Sequence, residues 1–194
     1  MKKIFLIVII LFGTVSAQTK WSLDPAHSYV NFSVAYMMLS DVTGKFHDFN
    51  MQMESAKDDF SDARIEVTIK AKSIDTGVEP RDRHLRSTDF FNAEKDSIIL
   101  FKSTKIESAG ENNLKITGLL TMRGVTNEVT LDAEFKGKTK GYKGMVAGFR
   151  ASTTINRKEW GLNWNRTIEA GGLLVGEDVT ITIAVQLIQN ENKI

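Results

Sequence analysis

SIDTGVEPRDRHLRSTDFF, residues Ser73–Phe91, breaks the two-residue alternation of apolar and polar side chains that runs on both sides of it. Gly77 closes the preceding segment. Pro80 suits a first helical position, and Glu79 and Asp82 suit the positive end of a helix. Arg86 follows Asp82 by four residues, so the spacing predicts an ion pair across one turn. Leu85 and Phe90–Phe91 supply an apolar side. The stretch therefore reads as one short helix over about 80–88. In a chain that is otherwise all-β, such a helix needs a surface to cover, and the expectation is the mouth of an apolar barrel.

Outward from the helix the strands follow. Ile65, Val67, Ile69 and Ala71 point one way, and Arg64, Glu66, Thr68 and Lys70 the other, as in a strand with one face solvated. Upstream, Tyr29–Met37 stripes Val30, Phe32 and Val34. Val42–Met53 carries Phe46 and Phe49, an odd number apart, which can share a face only if a bulge intervenes. Downstream, Ser97–Glu107 resumes the pattern. A stripe from Leu114 to Met122 then turns at Arg123-Gly124 into Val129, Leu131, Ala133 and Phe135, as a hairpin would. Gly137–Gly144, with three lysines, reads as a solvated turn. Met145–Ile155 and Val179–Leu187 complete the set. Eight or nine antiparallel strands joined by short turns predict a single eight-stranded up-and-down barrel, lipocalin-like, although a sandwich would share the striping.

Lys2–Lys3, the apolar run Ile4–Phe12 and Val15-Ser16-Ala17 have the layout of a cleavable export signal, expected to occupy residues 1–17 ahead of one domain at 18–194. Export of the mature chain is the expectation. The leader carries two of the 25 basic residues and none of the 24 acidic ones, leaving 23 against 24 and a net charge of −1. This balance does not point to nucleic acid. With no cysteine in the chain, crosslinks and thiolate-held metals are excluded, and stability must come from burial and β pairing.

The inward stripes mix large residues with Ala71, Gly118, Ala133, Ala147 and Ala151. Small inward residues leave room, and methionines adapt to irregular guests. Taken alone, the same stripes also describe an ordinary filled core. If hollow, the interior would take a long lipid. Roughly 20 buried methylenes at about 0.8 kcal/mol each give about 16 kcal/mol before ordering costs. Expected lining residues are Phe32, Val34, Tyr36, Met38, Phe46, Leu85, Phe90, Phe101, Leu120, Met122, Phe149, Trp160 and Trp164. Arg81, His84, Arg86 and Arg157 are head-group candidates, since guanidinium forks suit phosphate oxygens. Nearby Glu79, Asp82 and Asp89 offer them internal partners instead. Arg123 and Arg157, each next to a loop, are the weaker candidates of this kind. The segment Asn156–Glu177 has no period and reads either as a lid or as a loop that tucks its tryptophans onto the core. The three histidines lack metal-binding spacing. His27 beside Asp24 and Ser28 reads as a hydrogen-bonded structural residue, so no catalytic residue, metal or cofactor is expected.

Four blocks together resemble the YceI-like, or polyisoprenoid-binding, family of exported barrels. They are Trp21 through Asp24-Pro25-Ala26-His27-Ser28 to Val42–Phe46; Ser73–Gly77 with Arg81–Leu85, Asp89–Phe91 and Phe101–Ser103; Gly118–Thr126; and Gly148-Phe149, Ile155–Arg157, Trp160-Gly161 and Val175–Val179. The resemblance implies a barrel that takes a polyisoprenoid or similar long-chain amphiphile in its cavity, without catalysis. Two positions depart from it. Tyr36 stands where the family usually has histidine, and Asp96-Ser97 where it usually has an aromatic–proline pair. The leading expectation is a periplasmic carrier or store of an isoprenoid-type lipid, either a prenyl phosphate or quinone-like. The alternative is an accessory of a membrane redox protein, with a filled barrel and exposed loop tryptophans as anchors. A homodimer is left open.

Overall fold

The alternation is realised as an antiparallel sheet that closes on itself. The computed structural model describes residues 18–167 and 171–190; the leader expected at 1–17 lies outside the described residues. In chain order the strands are β1 (Thr19–Leu23), β2 (Tyr29–Tyr36), β3 (Ser40–Phe46), β4 (Phe49–Ser55), β5 (Arg64–Lys70), β6 (Ile74–Asp75), β7 (Ile98–Ser108), β8 (Asn113–Met122), β9 (Val125–Gly141), β10 (Gly144–Asn156) and β11 (Val175–Gln189). Helix α1 (Glu79–Arg86) follows β6. β11 returns to the start of the chain, placing Leu187 opposite Leu23 and Ile183 opposite Val30.

Eleven strands make eight staves, because three staves are each broken once. β1 continues into β2, β3 into β4 and β5 into β6, through a 3-10 turn at Pro25–His27, the pair His47-Asp48 and a 3-10 turn at Ala71–Ser73. The last two breaks lie side by side, with the His47 amide on the Ser73 carbonyl (3.2 Å) and the Lys70 amide on the Asp48 carbonyl (2.9 Å). Each break flips which parity faces inward. Ile69 and Ile74 thereby share the interior, as do Phe46 and Phe49. The result is an up-and-down barrel in which the first stave closes against the last and leaves no long free edge.

The β8–β9 hairpin turns at Arg123-Gly124, both with positive φ (49° and 74°), as a tight two-residue connection requires. The turn expected over Gly137–Gly144 is much shorter. The ladder runs on to Gly141 opposite Gly144, so only Tyr142-Lys143 connect β9 to β10. The lysines there decorate strands that outrun the apolar interior, and so lose their alternation without losing their pairing. Elsewhere the outer face carries exposed pairs such as Lys115–Asp132 and Lys102–Glu66; such pairs contribute little to stability.

Up-and-down order sorts the connections. Residues 37–39, 76–97, 123–124, 157–167 and 171–174 lie at one end, and 56–63, 109–112 and 142–143 at the other. Helix α1 belongs to the first set. Asp82 and Arg86 do not pair within it. Side chains in a helix lean toward its N-terminus. Asp82, in the first turn, is buried and accepts from the backbone amide (2.9 Å) and hydroxyl of Thr76 just ahead of the helix. Arg86 reaches Glu79 instead, at 3.7 Å.

Candidate functional site

Inside the barrel lies a cavity of about 530 Å³, within the range of about 300–1,000 Å³ usual for small-molecule sites. Phe32, Val34 and Tyr36 of β2, Phe46 of β3, Phe101 of β7, Leu120 and Met122 of β8 and Phe149 of β10 all line it. Leu85, Phe90 and Trp164 roof it from α1, the segment after α1 and the β10–β11 loop. Two residues expected in the lining are elsewhere. Met38 sits at the tip of the β2–β3 connection, 72% exposed, because Met37 and Met38 form the turn itself, both in the left-handed region. Trp160 is fully buried behind the wall, its indole N–H donating to the Leu120 carbonyl at 2.9 Å.

The roof is an aromatic contact between two chain segments. The His84 ring stands edge-on to Trp164 (centroids 4.7 Å) and to Phe90 (5.1 Å), while its Nε2 lies 3.0 Å from Asp89 Oδ2. The β10–β11 loop thus does both things its sequence allows. Trp160 tucks into the core and Trp164 helps close the mouth. Neither is a freely exposed anchor for a protein partner.

The four head-group candidates are held differently. Arg81 lines the cavity, but its Nε donates to Thr76 Oγ1 (2.7 Å) and its Nη2 to the Thr76 carbonyl (3.0 Å). Arg157 is buried, and its guanidinium donates to the carbonyls of Gly176 (2.8 Å), Val175 (3.4 Å) and Leu162. Burial pushes its pKa down, opposed by the Glu177 carboxylate. It is a clip that fastens the β10–β11 loop to the start of β11. Arg86 does not line the cavity; it faces Glu79 and the Ile74 carbonyl. His84 alone presents a ring to the interior, while partnered by Asp89. Arg123 fastens the same end from outside, donating to the carbonyls of Thr88 (2.9 Å) and Gly161.

Two inward glycines make room for the protein rather than for a guest. A Cβ on Gly118 would stand 2.5 Å from the Phe101 ring and from the Lys102 carbonyl, and one on Gly44 would stand 2.4 Å from the Phe32 ring. Ala71 and Ala147 are fully buried in the wall packing. Ala133 and Ala151 do border the cavity. At the far end, Phe60 closes the floor, from a loop whose polar sequence SAKDDFSDA carries no strand or helix period to announce it.

This architecture recurs in solved structures. The Campylobacter jejuni YceI protein is 30% identical and superposes with a TM-score of 0.69 over 81% of this chain and 90% of that one. Burkholderia cenocepacia BcnA (22% identical, TM-score 0.73, covering 84% and 98%) shares the fold. So does a polyisoprenoid binding domain from Saccharophagus degradans (16% identical, TM-score 0.65, covering 88% and 98%). Among curated sequences, UPF0312 proteins of Staphylococcus aureus strain N315 and of Staphylococcus epidermidis strain RP62A are 39% and 38% identical over 163 residues, 83% of this chain and 92% of theirs. The YceI-like domain model matches residues 21–187, nearly the whole barrel, and the chain belongs to that family.

Proposed function

We infer that this protein is an exported binding protein that holds a long-chain isoprenoid-type lipid in its barrel. The observation that carries the reading is an almost wholly apolar cavity within the barrel, whose lining arginines are already engaged by the chain's own oxygens. Affinity then comes from burying the tail, at about 0.8 kcal/mol per methylene before ordering costs. The head selects by shape and hydrogen bonding at the rim, near His84 and Tyr36. A fold shared with a protein described as a polyisoprenoid binding domain supports the tail class. Lys2–Lys3 and the apolar run after them support export to the periplasm. Sequestration and carriage fit this geometry.

The test is to purify the protein from its exported fraction, extract it with organic solvent and analyse the extract by mass spectrometry. An isoprenoid lipid in the extract, and a thermal midpoint that rises with added prenyl lipid, are expected. An empty protein whose midpoint no prenyl lipid moves would end this reading.

A further inference from the structure

The floor of the cavity is made by a loop, not by the wall. Phe60 lies in the 56–63 connection between β4 and β5, yet its ring is 2% exposed and borders the cavity. It packs edge-on against Trp21 (centroids 5.7 Å), Phe135 and Phe149 (both 5.1 Å). Its backbone pays for that position. Phe60 has φ +58°, a left-handed conformation that a bulky side chain occupies only at a cost on the order of 1–3 kcal/mol. The loop is fastened around it by Asp62, which accepts from Ser55 Oγ (2.6 Å) and the amides of Ala56 (3.0 Å) and Lys57 (3.1 Å). Lys138 on β9 reaches Asp58 from the other side at 2.7 Å.

A strained residue at a surface loop, aimed inward and clamped in place, is a device for filling one spot. That spot is the inner end of the cavity. Val185, opposite Phe149 in the ladder, marks the floor, and Val175, opposite Tyr36, marks the rim. Ten residues of tilted strand separate them, roughly 25 Å along the barrel axis. A tail entering under α1 meets the Phe60 ring at the end of that path. We propose that Phe60 is the stop that sets how long a tail the cavity accepts, so that it determines chain-length specificity. This rests on the lipid-binding reading above and adds to it the residue that measures the guest.

The experiment compares farnesol, geranylgeraniol and solanesol, a series of rising isoprenoid length, against the wild-type protein and two variants. Phe60→Gly removes the ring and relieves the backbone, since glycine accepts positive φ freely. Phe60→Leu trims the ring and keeps an apolar plug if the first variant folds poorly. Wild type is expected to bind geranylgeraniol and discriminate against solanesol. The variants should shift the solanesol-to-geranylgeraniol affinity ratio toward the longer chain by about tenfold, since each further methylene buried contributes up to about fourfold. A folded Phe60 variant whose ratio equals that of wild type overturns the stop while leaving the binding function standing. A wild-type protein that binds none of the three alcohols overturns both.

Discussion

The His84 ring meets the Trp164 indole edge-on, centroids 4.7 Å apart and planes at 90°, and this contact is where α1 and the β10–β11 loop meet over the cavity. Neither segment is covalently constrained to hold the other. Replacing Trp164 with alanine should therefore open the roof without opening the barrel. The expected result is dissociation of a bound fluorescent geranylgeranyl analogue about tenfold faster than from wild type, with a smaller change in association. The thermal midpoint should fall by no more than about 5 °C, because Trp164 is only half-buried and sits on a loop. Stopped-flow displacement reads the first and calorimetry the second. An unchanged dissociation rate would mean that guests leave by another route.

Arg157 is the counterpart on the structural side. Its three donors satisfy carbonyls of Leu162, Val175 and Gly176 that strand pairing leaves over. Arg157→Met keeps an apolar stem and takes the guanidinium from the Leu162 and Gly176 carbonyls, while the Val175 carbonyl keeps its bond from Asn165 Nδ2 (2.7 Å). A loss of about 3–5 kcal/mol is expected, from buried groups left without partners, with the 157–174 loop becoming sensitive to protease. Arg157→Lys should recover little, because an ammonium cannot fork to three carbonyls. Urea unfolding with a parallel proteolysis time course checks both.

The striping of Val179–Leu187 and Ile65–Ala71 is enough to read half-buried strands, because such a strand imposes its period directly on the sequence, whereas closure into a barrel rests on β11 pairing with β1. The helix is legible for the opposite reason, through the loss of that period around Pro80. What stays hidden is anything decided across strands. Arg157 reads as a ligand for a lipid head because its carbonyl partners lie up to nineteen residues away. Trp160 reads as a lining residue because burial behind a wall and burial facing a cavity leave the same mark. Phe60 stands alone among polar residues, and nothing local says that its loop folds inward.

Gly118 shows the same limit and can be tested sharply. Read along β8, it is a gap in an apolar stripe and so a space for a guest. In the folded protein the Phe101 ring occupies that space, with the Lys102 carbonyl equally close. Gly118→Ala should cost about 1–3 kcal/mol through overpacking, since one neighbour is backbone and cannot swing aside. It should also push the Phe101 ring toward the cavity and weaken binding of prenyl lipid. Stability and affinity measured on the same preparation decide it. If affinity falls with no loss of stability, Gly118 instead borders the guest directly.

The last prediction concerns acid and the floor loop. The hydrogen bond from Ser55, with those from the Ala56 and Lys57 amides, holds the Asp62 carboxyl below its ordinary pKa against an opposing effect of burial. The unfolded chain therefore takes up this proton first as the pH falls. Asp62 contributes stability that is fully present above the unfolded value near 4 and is lost as pH drops through the lower folded value. An amide at this position cannot titrate, so Asp62→Asn isolates the effect from Asp24 and Asp75, whose carboxyls are also held low. The variant should be less stable than wild type by about 1–2 kcal/mol at pH 7, the worth of the hydrogen bonds it weakens. That gap should narrow as the pH falls below about 4 and the wild-type carboxyl is protonated too. Urea titrations at pH 7 and in acid give the gap directly. A difference that persists undiminished in acid would place Asp62's contribution in packing rather than in its charge.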